Sequence, residues 1–163
     1  MLAKKSIKMR SLKARLLGML KAKCVDAKSS GRNEISAKVD IENIVGGYTG
    51  KLTILIDDVG IVGIFHIRTD IPMKSRSRVG EYYLRINSIL KRGVIGLDYE
   101  NGETRFRNAM SKLDFEKAPE EELTWFLRMP MLVLARFMPQ LKKLVNEKHS
   151  PKCVFKECIS DLL

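Results

Sequence analysis

Two histidines and three cysteines are this chain's whole supply of soft ligands and thiol nucleophiles. The tightest grouping is His149-x3-Cys153-x4-Cys158. A tetrahedral zinc site needs four ligands, so Cys24 or His66 would have to arrive from far along the chain. The simpler account is two small apolar thiols in a tail. Cysteine–histidine catalysis would pair Cys153 or Cys158 with His66 or His149 and would need a third group to orient the imidazole. His66, however, falls inside an apolar strand pattern and reads as a sheet histidine. Asp57-Asp58 offers two carboxylates for a dyad or a cation, or else a turn that closes through Val59-Gly60. Gly46-Gly47 and Gly60 have the spacing of no nucleotide-binding fingerprint. The expectation is therefore no catalytic residues, no cofactor and no metal.

The cations are more informative. Arg105 and Arg107 alternate along one strand pattern, where they would either bind phosphates or form a solvated face paired with Asp98. Residues 1–33 hold ten basic side chains against the single acid Asp26, a charge of +9, while the other 130 residues carry 20 basic and 18 acidic groups. Lys4, Lys5, Lys8, Arg10, Lys13, Arg15, Lys21 and Lys23 are accordingly the candidate polyanion-binding residues. Neutralising phosphates with such a segment releases counterions, so nucleic acid or an anionic surface is a partner it suits. The alternatives are a first helix whose charges are merely solvated, or a targeting segment, against which lysine's excess over arginine counts.

A chain of 163 residues suits one domain with terminal additions, and its 45% apolar content is ordinary for a globular protein. No run approaches the ~20 apolar residues needed to span a bilayer. No signal-peptide core is present, and three separated cysteines do not make a disulfide framework, so a reducing, cytoplasmic setting is expected. The organisation reads as a basic leader or first helix over 1–33, an α+β domain over 34–147, and a tail or short helix over 148–163.

These residues must be positioned by a recognisable series of elements. Met9, Leu12, Leu16, Met19 and Leu20 line one side of a basic helix over residues 1–24. Ser29-Ser30-Gly31 reads as a linker. Ile35, Val39 and Ile41 mark a first strand, Gly46-Gly47 a loop, and Leu52, Ile54 and Ile56 a second strand. The third holds Ile61, Phe65 and Ile67 on one side and Val62 and Ile64 on the other, as a central strand would. Asp70-Ile71-Pro72 ends it. From Ser75 to Arg92, Val79, Tyr82, Tyr83, Ile86, Ile89 and Leu90 predict a helix, stopped by Gly93.

A hairpin follows. Asn101-Gly102 suits a two-residue type I′ turn, since both residues tolerate positive φ. That turn would pair Glu100 with Glu103, Tyr99 with Thr104, Asp98 with Arg105 and Leu97 with Phe106. Ser111–Ala118 then reads as a polar connection. Pro119 opens a helix with Glu120, Glu121 and Glu122 in its first turn, where acids suit the positive helix end. Leu123, Phe126, Leu127, Met131, Leu134, Met138, Leu141 and Val145 continue the stripe, which Pro130 and Pro139 should interrupt. A short helix from Val154 to Leu162 closes the chain.

The expected fold class is α+β, an antiparallel sheet with helices packed on one face, in the order helix-strand-strand-strand-helix-strand-strand-helix. That order is similar to the type III secretion chaperone-like fold. Tyr83-Leu84-Arg85-Ile86-Asn87, the run Gly96–Asn108 and Leu132-Val133-Leu134-Ala135-Arg136-Phe137-Met138-Pro139 together resemble the YbjN-type family, described as regulators of bacterial sensory transduction. The resemblance spans roughly residues 34–146. It implies a domain that is not an enzyme, has no active-site residues to transfer, and holds partner proteins, commonly as a homodimer. Secretion chaperones of this shape tend to be acidic, and this chain is basic, so the likeness does not extend to their charge. The resulting expectation is a non-enzymatic protein-interaction module, chaperone-like or regulatory, with polyanion binding through the leader as the alternative.

Overall fold

The computed structural model describes residues 2–22, 26–39, 48 and 50–160, with side chains from Leu12 onward apart from Val39. The expected strand end at Ile41, the Gly46-Gly47 loop, Lys23 and Cys24 lie outside the described residues. Six antiparallel strands form one sheet: β1 (Asp26–Gly31), β2 (Glu34–Val39), β3 (Gly50–Ile56), β4 (Gly60–Ile67), β5 (Val94–Leu97) and β6 (Thr104–Ser111). Their order across the sheet is β1-β2-β3-β4-β6-β5. The helices among the described residues are α1 (Leu2–Ala22), α2 (Met73–Asn87), α3 (Lys112–Lys117), α4 (Glu120–Phe137), α5 (Leu141–Val145) and α6 (Pro151–Ile159), with a 3-10 turn at Met138–Gln140. The expected class, α+β with an antiparallel sheet, is the one observed.

Period-two alternation decides which sheet face is buried. Ala27, Ile35, Ala37, Leu52, Ile54, Ile56, Ile61, Phe65, Ile67, Ile95 and Phe106 are all buried, in one core with the helices' apolar stripes. From α1 that core takes Leu12, Leu16, Met19 and Leu20, and from α2 Val79, Tyr82, Tyr83 and Ile86. Gly63 faces the same side, and a Cβ there would come within 3.3 Å of the Phe126 ring, so the missing side chain lets α4 approach.

Several sequence expectations are corrected. Ser29-Ser30-Gly31 is not a linker but the end of β1, which pairs with β2 through a bulge between Ser29 and Gly31. Four strands therefore precede α2, not three, and position 33/34 falls in the tight turn between β1 and β2. The leader's helix and strand are thus continuous with the sheet. The tail is likewise built in, since Val154 and Cys158 of α6 are buried in the core. β4 is central, as expected, but its Val62 and Ile64 face outward and are only half-buried. Residues 111–118 are not merely a polar connection. They hold α3, whose first turn is capped by Ser111 accepting the Asp114 N–H.

The hairpin register is shifted by two residues from the expected one: Leu97 pairs with Thr104 and Ile95 with Phe106. The cause is local side-chain chemistry. Asp98 accepts the Glu100 N–H at 2.9 Å, and Asn101 accepts the Glu103 N–H at 2.9 Å. Only Gly102 adopts positive φ, at 77°, so no type I′ turn forms. Its carbonyl receives the Ile71 N–H at 3.0 Å and the Thr69 hydroxyl at 2.7 Å, which docks the longer loop onto the segment before α2. A shift of two preserves the faces, because side chains alternate with that period. The Asp98–Arg105 ion pair forms accordingly.

The helix before this hairpin also ends earlier than expected, at Asn87. Asn87 then serves the sheet. Its side-chain nitrogen donates to the Ile95 carbonyl at 2.8 Å, and its oxygen accepts the Ile95 N–H at 2.9 Å. It thereby stands in for a neighbouring strand on the outer edge of β5.

Pro130 does not interrupt α4, and Pro119 sits one position before the helix. A proline inside a helix removes the N–H that residue i−4 needs. Here that orphan is the Phe126 carbonyl, and buried Asn108 of β6 donates its side-chain amide to it at 3.1 Å. Pro139 does break the helix, and the Tyr82 hydroxyl donates to the Phe137 carbonyl at 3.1 Å. Arginines close other helix ends, where cations complement the exposed carbonyls. Arg78 donates to the Leu144 carbonyl at 2.7 Å and Arg136 to the Cys158 carbonyl at 2.9 Å.

Candidate functional site

Among the described residues, the sheet face turned away from the helices carries charged side chains in register across several strands. Register places Lys38 opposite Lys51, Lys51 opposite His66, and His66 opposite Arg105, one row across β2, β3, β4 and β6. Neighbouring strands are ~4.8 Å apart, so Lys38 and Lys51 are adjacent like charges, and the acid Asp26 stands opposite Lys38 on its other side. Arg107 lies two residues along β6 on the same face, and Lys28 lies on it in β1. Asp98 binds Arg105, and Asp26 lies 3.6 Å from Lys28. Lys38, Lys51 and Arg107 are exposed and have no carboxylate partner among the described residues.

An apolar strip crosses the same strands four residues, ~13 Å, from that row. Leu55, Val62 and Ala109 are mutually opposite on β3, β4 and β6, and Ile64 and Val94 both flank Arg107 in the next row. Leu55 is 40% and Val94 55% exposed. Among the described residues no aromatic side chain lies on this face, because Phe65 and Phe106 both point into the core. The face therefore offers apolar contact area and charges of both signs, with Asp26 opposite Lys38, Glu34 opposite Leu55 and Glu103 3.9 Å from Arg105, and no platform for stacking bases among the described residues.

Burial first, and then Arg105, push the His66 imidazole below its ordinary 6.5; Glu103 pulls it up, and Lys51 pushes it down again. Such a base is neutral in both states at pH 8 and makes no difference there. As pH falls through 6.5 the unfolded chain takes the proton first, so stability declines and levels off below the folded pKa. The variant His66→Gln should flatten that stretch of the stability profile in urea melts between pH 8 and 5. An unchanged slope would remove the histidine from the account.

The leader's cations do not form a comparable surface among the described side chains. Lys13 donates to the Gly31 carbonyl and, at 3.4 Å, to that of Arg32. Arg15 donates to the Phe115 and Ala118 carbonyls at 3.3 and 3.1 Å and lies over the Phe115 ring. Both hold α1 against the rest of the fold. Lys21 is exposed, whereas the side chains of Lys4, Lys5, Lys8 and Arg10 and all of Lys23 lie outside the described residues.

The other chemical candidates are dispersed. Cys158 is buried against the Tyr82 hydroxyl at 3.2 Å, and burial pushes both groups' pKa values up. Cys153 is exposed, and His149 lies 3.3 Å from Glu147. Asp57 accepts the Val59 and Gly60 N–H groups at 2.8 and 2.7 Å, as a turn residue does. Among the described residues, no three His, Cys, Asp or Glu side chains are grouped as a metal site. No described helix is long and apolar enough to cross a membrane.

A groove of about 710 Å³ opens where β5 stops short of the end of β6, lined in part by Val94, Arg107, Ala109 and Pro119. Its acids are engaged, Glu122 with Arg92 at 3.3 Å and Asp114 with the Ser111 hydroxyl at 2.5 Å. Asn108 also blocks strand addition there, because its side-chain oxygen takes the Ala109 N–H at 3.0 Å. The groove shares Val94, Arg107 and Ala109 with the open face.

The cation row was hidden from sequence reasoning, which found charge by counting along the chain. Residues 34–163 sum to +2, and register sets Lys38, Lys51, Arg105 and Arg107, four of their 20 basic side chains, on one face. Alternate polar positions in β2 and β3 were the available signal, but nothing in the sequence says which of them stand opposite one another. In comparisons with known proteins, no family model matches the chain and no curated protein is significantly similar to it.

Proposed function

We propose that this protein is a non-enzymatic protein-interaction module that holds its partner on the open face of the sheet. The observation that carries the reading is the apolar strip of Leu55, Val62, Ile64, Val94 and Ala109 set beside unpaired cations. An antiparallel sheet can leave one face to water, and that face is then normally polar. Here five apolar positions break the alternation. The resemblance to YbjN-type regulators points the same way, toward a regulatory or chaperone-like role.

The test is site-specific photocrosslinking in native extract with the full chain. A crosslinker at Ile64 should give discrete protein adducts that a crosslinker at Leu132, exposed on α4, does not give. Nucleic-acid adducts at Ile64, no adducts, or the same set at both positions would overturn the reading.

A further inference from the structure

Resting on that reading, we infer that the partner brings an extended segment that pairs in parallel with the free edge of β6 and seats one apolar side chain between β6 and α4. Gly93, at φ 76°, delivers the chain to β5 only at Val94, opposite Arg107, so β6 runs on to Ser111 with that side open. Ile95 spends its N–H and C=O on Asn87, so Val94 exchanges both of its groups with Arg107. Backbone groups alternate sides along a strand, so Ala109 and Ser111 face the open edge too. Asn108 holds the Ala109 N–H, and the Ser111 C=O begins α3. The Ala109 C=O and the Ser111 N–H have no hydrogen-bond partner among the described residues.

This remainder selects the direction of an added strand. A strand continuing β5 would be antiparallel and would aim a carbonyl at the Ala109 N–H, which Asn108 already fills. In a parallel ladder the bonds are slanted, so one residue donates to the carbonyl before its opposite number and accepts from the N–H after it. A residue opposite Met110 therefore donates to Ala109, accepts from Ser111 and asks nothing of Asn108. Opposed residues share a face, so its side chain turns with Met110 toward α4. A cavity of about 210 Å³ lies there, walled by Met110, Trp125, Phe126 and Met129. Its two neighbours point to the open face, beside Val94 and Ala109. The Arg92–Glu122 pair borders both cavities and is a surface pair, which costs little to part.

Other occupants fit less well. A helix has spent its backbone groups internally, and nucleic acid has no amide to exchange with this edge. Three cations and two acids line the larger groove, and both acids are engaged, Glu122 by Arg92 and Asp114 by Ser111. Arg107 and Lys117 therefore favour acids at the flanks of the segment.

The experiment follows the backbone amides of the isotope-labelled full-length protein by NMR during titration with a blocked heptapeptide. The peptide has a central leucine between valines, then threonines, with glutamate at both ends. At millimolar peptide the Ser111 amide should shift. Methylating the leucine nitrogen, or replacing leucine with threonine, should weaken binding at least tenfold, whereas methylating either valine nitrogen should not. Ser111→Pro keeps the native φ of −63° and removes the N–H, so it should bind at least tenfold more weakly than Ser111→Ala, which loses the same hydroxyl cap. An unmoved Ser111 amide, indifference to leucine methylation, or equal binding by the two variants would overturn the inference. A dimer of the free protein that Ser111→Pro dissociates would overturn it in favour of a second copy. Protein adducts at Ile64 that persist in Ser111→Pro would refute the edge pairing alone, whereas their absence from the parent would refute the protein-binding reading itself.

Discussion

Deleting residues 1–33 is expected to abolish cooperative folding, not to yield a trimmed domain. The deletion removes Leu12, Leu16, Met19 and Leu20 from the core and takes away β1, the strand bordering β2. Burying four such side chains contributes about 1.5–3 kcal/mol each, so their sum of about 6–12 kcal/mol rivals the entire stability of a domain. Arg15 would also leave the end of α3 without its donor. Circular dichroism and urea titration decide the matter: a truncated protein that keeps a sharp transition near the parent midpoint would show that α1 is dispensable. A milder probe is Leu16→Ala, for which a loss of about 2–5 kcal/mol is expected at this fully buried position. One consequence concerns binding. If the truncated chain failed to bind nucleic acid, the loss would report unfolding and would not reveal a cationic arm. Charge neutralisation at Lys4, Lys5, Lys8 and Arg10 in the intact chain is the informative comparison.

Replacing Asn108 with alanine should cost about 2–6 kcal/mol, since two polar partners lose their bonds at roughly 1–3 kcal/mol each. The partners are the Phe126 carbonyl, orphaned by Pro130, and the Ala109 N–H on the free edge of β6. The two losses separate by substitution. Asn108→Asp keeps an acceptor for Ala109 but has no amide to offer Phe126. Pro130→Ala supplies a backbone N–H four residues after Phe126, so Asn108→Ala should cost about 1–2 kcal/mol less in that background. A double-mutant cycle in urea measures the difference. Strict additivity of the two substitutions would show that Asn108 does not compensate for the proline.

This pair also marks where reading along the chain stops. Pro130 was expected to break the helix because proline removes a hydrogen bond, and the chemistry of that expectation is sound. What cancels it is an asparagine 22 positions earlier on a different element, brought near by the sheet. The hairpin failed in a similar way. Asn101-Gly102 has the right residues for a two-residue turn, but Asp98 and Asn101 offered the backbone a competing set of hydrogen bonds, and docking onto Thr69 and Ile71 selected it. The ion pair between Asp98 and Arg105 survived only because the slip was even. β1 escaped notice because an edge strand of small and polar residues has one buried position, Ala27, and so presents no alternation to detect.

Hydropathy period and proline's missing N–H were enough to define the α+β class, the alternation of β3 and β4, the stripe of α2 and the break at Pro139. Each depends on residues within a turn or two of one another, where period and backbone restriction act directly. The sheet order, the register and the sharing of α1 with the core were decided by tertiary structure. They depend on which distant segments exclude water together, a quantity no local window contains. The candidate surface belongs to this second kind. Lys38, Lys51, His66 and Arg105 are scattered over 68 positions, and only the hydrogen-bonded ladders between strands turn them into neighbours.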